Sequence, residues 1–282
     1  MFFLLLSKFT FSAGSMKVIF SGEVIYVLSG GVYIKTEEYD IKGSQGTYYE
    51  GSGRVFLTDA FIKSPNLTLN SKNLFYDRKA NLLELRGNAY FEDEYRRISG
   101  NFIRAKGDSA WVFGKVDVLS KGRNLRILGD SAFYDGRNSY GWVKGNSRVI
   151  IPSRETLNVS SRTFVLHKDT TFGYGEVFIS SPSVSARADT FIADVKGDTL
   201  RKIFLFGNVS VTWKNGKGFA NYSEISFENG EVSEVILVDS SKVEYAEGGG
   251  TVEVEGWKIR AKIRGDTLKY ISVEKLIKGT YR

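Results

Sequence analysis

The chain has 282 residues, no cysteine, one histidine, 39 Lys and Arg against 32 Asp and Glu, and 15 Tyr with 20 Phe beside only three Pro. Without cysteine there is no disulfide framework, thiolate nucleophile or sulfur-ligated zinc, and with His167 alone most familiar nucleophilic triads and metal clusters cannot be assembled. The formal charge of +7 fits an anionic partner, but the basic residues are spread along the chain in no dense run, so nucleic acid is not expected.

Residues 1–6 are apolar, Lys8 interrupts them, and the small Ala13 and Gly14 follow. Residues 1–17 are read as an atypical signal segment or a first strand, too short and broken to cross a membrane as a helix. Residues 18–282 are read as a single repetitive body. Its anchors are Gly30, Thr58, Gly87, Gly114, Gly145, Gly175, Gly207 and Asp239, spaced 27 to 32 residues apart. A fixed period of this size is the mark of a repeat architecture.

Two and four residues past the anchors stand Val32 and Ile34, Ala60 and Ile62, Ala89 and Phe91, Val116 and Val118, Val177 and Ile179, and Val209 and Val211, with Trp213 next in line. This alternation is a strand period. Ser147 with Val149, and Ser241 with Val243, depart from it. Before each anchor lies a second apolar run, such as Leu82, Leu83, Glu84, Leu85 or Val235, Ile236, Leu237, Val238. Polar turns at 77–81, 135–138 and 228–231 introduce these runs as hairpin signals, because Asn-Gly and Asp-Gly tolerate positive φ. Each repeat is therefore predicted as two or three short antiparallel strands in a continuous meander. The abundance of aromatic and β-branched residues agrees with an almost all-β protein.

Catalytic signals are weak. Glu92, Asp93 and Glu94, like Glu37, Glu38 and Asp40, sit in polar stretches between strands and read as solvated turn charges rather than a two-carboxylate glycosidase site. His167 reads as a surface strand residue. Lys121, Arg123 and Arg126, and Arg96 with Arg97, read as a solvated face, with contact to the phosphates of an anionic lipid as the functional alternative. No enzyme activity, cofactor or metal is expected.

Three stretches carry a family resemblance. Asn73, Leu74, Phe75, Tyr76 and Asp77 run through Leu85 to Gly87, Asn88 and Ala89. A second stretch is Gly129, Asp130, Ser131, Ala132, Phe133, Tyr134, Asp135 and Gly136, and a third is Ala188, Asp189, Thr190 and Phe191 running to Phe206, Gly207, Asn208 and Val209. The pattern resembles the OstA-like family, which includes the periplasmic bridge protein of lipopolysaccharide transport and the N-terminal domain of its outer-membrane assembly partner. The resemblance covers roughly residues 18 to 275. It implies an elongated open β-jelly roll of stacked antiparallel strands, here in about eight repeats, whose trough holds acyl chains in the periplasm.

Stacked strands with one apolar face each, closed only partly, would leave a continuous apolar groove. Burying an acyl chain there is worth about 0.8 kcal/mol per methylene and needs no directional hydrogen bonds. The groove candidates are Val32, Ile34, Phe91, Val116, Val118, Val177, Ile179, Val209, Val211 and Trp213; the alternative for each is filling a dry core. Expected partners are lipopolysaccharide or another anionic lipid and other jelly-roll transport components, or copies of this chain end to end. Such partners would meet through edge strands near residues 18–26 and 252–263. A structural or adhesive cell-envelope repeat protein without cargo is the alternative. Three rival folds or classes are weaker. Hairpin turns argue against a parallel β-helix, and short strands with interspersed Lys35, Lys115 and Lys214 argue against a transmembrane barrel. A carbohydrate binder would stack sugars on Trp111, Trp142, Trp213 and Trp257, yet these fall at different offsets in their repeats.

Overall fold

In a computed structural model, which describes residues 10–37, 39–121, 125–152, 156–167, 170–196, 199–247, 249–264 and 267–282, the chain is all-β. Its nineteen strands belong to one open antiparallel sheet. Residues 1–9 of the proposed signal segment, and Glu38 and Arg123, lie outside the described residues. Packing divides the chain into two compact units, Met1–Gly122 with Leu128–Gly141, and Arg123–Ile127 with Trp142–Arg282.

The first unit holds β1 (Thr10–Ser12), β2 (Ser15–Ser21), β3 (Glu23–Lys35), β4 (Asp40–Tyr49), β5 (Arg54–Ser64), β6 (Leu67–Asp77), β7 (Leu82–Asp93), β8 (Arg96–Lys106), β9 (Ser109–Ser120) and most of β10 (Leu125–Asp135). The second holds nearly all of β11 (Tyr140–Ile151), then β12 (Leu157–His167), β13 (Thr170–Ser180), β14 (Val184–Lys196), β15 (Thr199–Trp213), β16 (Gly216–Glu228), β17 (Glu231–Glu247), β18 (Gly250–Arg264) and β19 (Thr267–Tyr281). From β2 to β9, and from β12 to β19, each strand pairs antiparallel with the next in sequence.

The short strands predicted from the sequence are corrected here. Strands β3 to β19 run from 10 to 17 residues, two per repeat, because the anchors are corners inside a strand and not boundaries between strands. Gly207 and Asn208 show the device. Both have positive φ, 73° and 47°, and together they stand opposite Asn221 alone, since Phe206 pairs with Tyr222 and Val209 with Ala220. One extra residue makes a β-bulge, which bends the strand, and Gly and Asn enter the left-handed region at least cost. Positive-φ residues mark the same place at Gly30-Gly31, Asp59, Gly87-Asn88, Gly114-Lys115, Gly145-Asn146, Gly175-Glu176 and Asp239-Ser240. Lys275 in β19 adds a further positive φ, 54°, that neither Gly nor Asn announces. Strands of this length remove shortness as an objection to a transmembrane barrel. Charged pairs on the outward face, Lys202 with Glu224 and Arg260 with Glu234, still weigh against a lipid-facing exterior.

The bend is sharp enough to bring one strand back on itself. Phe11 pairs opposite Ile34, yet its ring meets Tyr26 edge-on at 6.3 Å between centroids. Tyr26 and Ile34 are eight positions apart on β3, about 26 Å if the strand ran straight. The corner at Gly30-Gly31 closes that distance, so each half-strand contributes to a different wall of a two-walled interior.

Turn chemistry agrees with the sequence. Glu228 pairs with Glu231 across Asn229 and Gly230, both at positive φ, as a two-residue primed hairpin requires. The aromatic-Asp motif closes a longer hairpin through its side chain, Asp77 pairing with Leu82 across four residues. Asp77 accepts the Ala80 N–H at 2.9 Å and the Arg54 Nε–H at 3.0 Å. The Ala80 bond first, then Arg54, holds its carboxyl below the usual range, against the opposing effect of burial. The Ser departures are also explained, since Ser147 and Ser241 are buried and their hydroxyls donate to the carbonyls of Ser161 and Trp257 on the neighbouring strands.

At the ends, β2 pairs with β3 and β19 with β18. Phe20 is 80% exposed on β2, and Leu276 and Ile277 are 62% and 74% exposed on β19. The expected edge at 252–263 is corrected, because those residues lie in β18, which is paired on both sides. The outer strand is β19, whose charges at Lys269, Glu274, Lys275 and Lys278 hide its alternation.

Candidate functional site

Alternation sends one side chain in two to the interior, and the corner turns those side chains from two walls toward each other. Near the amino-terminal end of the first unit the walls do not meet. A pocket of about 200 Å³ lies there between Phe11 and Ile34 on one wall and Tyr26, Leu28, Gly46, Tyr48, Val55 and Leu57 on the other, with Thr47 and Glu50 completing it. Its floor is buried and apolar: Leu28, Ile34, Gly46, Val55 and Leu57. Its rim is partly or fully exposed: Phe11, Tyr26, Thr47, Tyr48 and Glu50.

The rim is polar at one side. The Tyr26 hydroxyl donates to the Glu50 carboxylate at 3.3 Å, and the rings of Tyr26 and Tyr48 stack at 6.0 Å with 19° between their planes. Burial, then the Glu50 carboxylate, pushes both phenols up, with the Arg78 guanidinium opposing the effect on Tyr48. An apolar floor below a few convergent polar groups is the common design of a small-molecule site, and the volume is below the usual range of roughly 300–1,000 Å³. It admits part of a chain rather than a whole lipid.

The second unit is different inside. Trp213 lies over Gly216 and Gly218, so close that an added Cβ would fall 2.5 Å from the indole at Gly216. Leu237 also reaches the space above Gly218, although Gly218 pairs with Val243, six positions further along β17. Side chains from the two walls thus interlock. Ile203, Leu205, Val211, Val235, Leu237 and Ile259 are all 0% exposed. Two polar atoms are trapped without a hydrogen-bond partner among the described residues, Trp213 Nε1 and Ser223 Oγ.

Of the ten groove candidates, Val32, Ile34, Phe91, Val116, Val177, Ile179, Val209, Val211 and Trp213 are buried on the inward face, and Val118 is half-buried. Ile34 lines the pocket; the other nine do not. The sequence reading missed Phe11, Tyr26, Leu28, Tyr48, Glu50, Val55 and Leu57. Leu28 and Leu57 precede the positive-φ corners by two residues, which is the signal that could have found them.

The other sequence candidates have structural roles. Asp93 accepts the Tyr95 and Arg96 N–H groups at 2.9 and 2.7 Å, and Glu92 pairs with Lys121 at 2.7 Å, so these carboxylates tie down a turn. His167 is exposed at the end of β12. Trp257 is exposed beneath the Lys275 ammonium, and Trp213 is core. Among the described residues no group of three His, Cys, Asp or Glu could hold a metal ion, and no helix is long and apolar enough to cross a membrane.

No protein-family model and no curated protein matches the sequence. Among solved structures, the chain is similar to LptH, described as the LptA homologous periplasmic component of the conserved lipopolysaccharide transport device from Pseudomonas aeruginosa. The two are 8% identical with a TM-score of 0.26, over 52% of this chain and 94% of that one. A similarity that low has no bearing on the strands and pocket, which stand on their own geometry.

Proposed function

We propose that the protein is a non-enzymatic scaffold that handles an amphiphile, holding part of an acyl tail between the two walls at the amino-terminal end of its first unit. The observation that supports this reading is the pocket itself, a buried apolar floor of Leu28, Ile34, Val55 and Leu57 under an exposed rim with polar groups. Lipopolysaccharide or a related amphiphile in the periplasm is the cargo that the sequence resemblance implies. Neighbouring jelly-roll components or further copies of the chain would join through β2 and β19, whose exposed apolar side chains leave open edges of the kind that pair with other strands.

A photoreactive residue at Leu28 or Ile34 is expected to capture a lipid in cells, while Val27 and Tyr33, on the opposite faces of the same strand, capture none. No adduct at Leu28 or Ile34 overturns the reading. A second reading, a structural envelope repeat protein without cargo, is favoured by the interlocked interior of the second unit. A photoreactive residue at Val211 tests it, since a lipid adduct there would require that interior to open.

A further inference from the structure

The chain as a whole is basic, at +7, but the pocket rim is not. Among the residues lining the pocket, the one with a charged side chain is Glu50, an exposed carboxylate in the turn just after β4, with the Tyr26 hydroxyl already donating to it. A second carboxylate, Glu23, lies just outside, where its oxygens accept from the Ser52 N–H and hydroxyl at 2.7 and 3.3 Å. The cations on this side lie outside the pocket lining, although the Arg78 guanidinium acts on the Tyr48 hydroxyl and so opposes Glu50. Arg54 pairs with Asp77, and the stem of Arg78 packs over Gly53.

This arrangement orients a guest. The apolar floor takes the tail, so the head emerges beside Glu50 and the two tyrosines. A head bearing N–H or O–H donors can give a hydrogen bond to the carboxylate, which only accepts. A fully ionised phosphate head has no hydrogen to give the carboxylate and meets a like charge there, leaving only the tyrosine hydroxyls to serve it.

We propose that Glu50 makes the pocket selective for amphiphiles whose heads are ammonium groups or neutral hydroxyl donors, and that it discriminates against phosphate heads despite the positive charge of the chain. This deepens the amphiphile-handling function proposed above and rests on it, and it parts from the anionic lipid that the sequence resemblance implies. Because Glu50 is exposed, the effect is modest: a unit charge about 4 Å from another in water interacts by about 1 kcal/mol, which corresponds to roughly fivefold in affinity.

The test uses the full chain and three guests with one tail: octylammonium, octyl glucoside and octyl phosphate, below their micellar concentrations, titrated calorimetrically at low salt. The expected order is ammonium, then glucoside, then phosphate, with roughly fivefold between steps. Glu50→Gln should collapse that spread, as should raised salt, whereas Glu228→Gln in the second unit, which changes net charge equally, should leave it intact. Phosphate binding as well as or better than ammonium overturns the proposal, as does an order that Glu50→Gln leaves unchanged. If none of the three binds, the function proposed above falls with it; if all bind equally, only the selectivity falls.

Discussion

The amino-terminal end of the first unit and the interior of the second use the same corner, yet one leaves a pocket and the other none. Both bend a long strand at two successive positive-φ residues, Gly30-Gly31 in β3 and Gly207-Asn208 in β15. The difference is in what stands opposite the glycines of the intervening strands. In the first unit Gly46 faces the pocket, and nothing large from the far wall fills the space. In the second, Trp213, Leu237 and Phe191 close over Gly216, Gly218 and Gly173. A repeat therefore fixes the walls, and a few large side chains decide whether a cavity survives between them.

That contrast can be broken most strongly by truncation. Leu205→Ala removes a fully buried side chain from a sealed interior and should destabilise the protein by about 2–5 kcal/mol in denaturant titration. Leu28→Ala enlarges a void that is already there, so its cost should be smaller and its main effect should be on guest binding. Equal losses would show that the pocket is not a real opening.

Adding a methyl group gives the next effect. At Gly173 a new Cβ would fall 2.1 Å from the Phe191 ring, which is itself packed edge-on against Phe164 at 5.8 Å and cannot give way. Gly173→Ala should cost about 1–3 kcal/mol by overpacking. Gly46→Ala comes under 3 Å only of the flexible end of Leu57, at 2.9 Å, with Val32 in ordinary contact at 3.6 Å, and should be nearly silent in stability while reducing binding.

The smallest effect has the opposite sign. Ser223 is buried with its hydroxyl unpartnered, so Ser223→Ala should stabilise the protein, by at most about 1–3 kcal/mol if the whole desolvation cost is recovered. A loss of stability on melting would mean that the hydroxyl has a partner, and that the second interior is less dry than it looks.

The period, the inward face and the hairpin turns were legible in the sequence because each has a residue-level cause. Gly-Asn marks a corner, Val209 and Val211 mark a face, and Asn229-Gly230 marks a turn. What misled was the meaning of the corner. Glycine and asparagine at positive φ look the same in a sequence whether they end a strand or fold it, so one bent strand reads as two. The pocket was illegible for another reason. It joins Phe11 to Tyr26 across a bend and depends on what is missing opposite Gly46, and no periodicity reports a missing side chain. The outer strand β19 escaped because its corner falls on Lys275, a residue with no turn signature.

The bulge also bears on how such a chain can vary in length. Each corner is made within its own strand and stands opposite a plain neighbour, so a two-strand unit contains all it needs to bend. Duplicating or deleting one such unit in the gene would leave the pairing of the remaining strands unchanged, whereas the loss of a single strand would set two bulged strands side by side, except next to β5, whose corner at Asp59 carries no extra residue. Growth and shrinkage of this chain are therefore expected to proceed in whole pairs of strands, about thirty codons at a time.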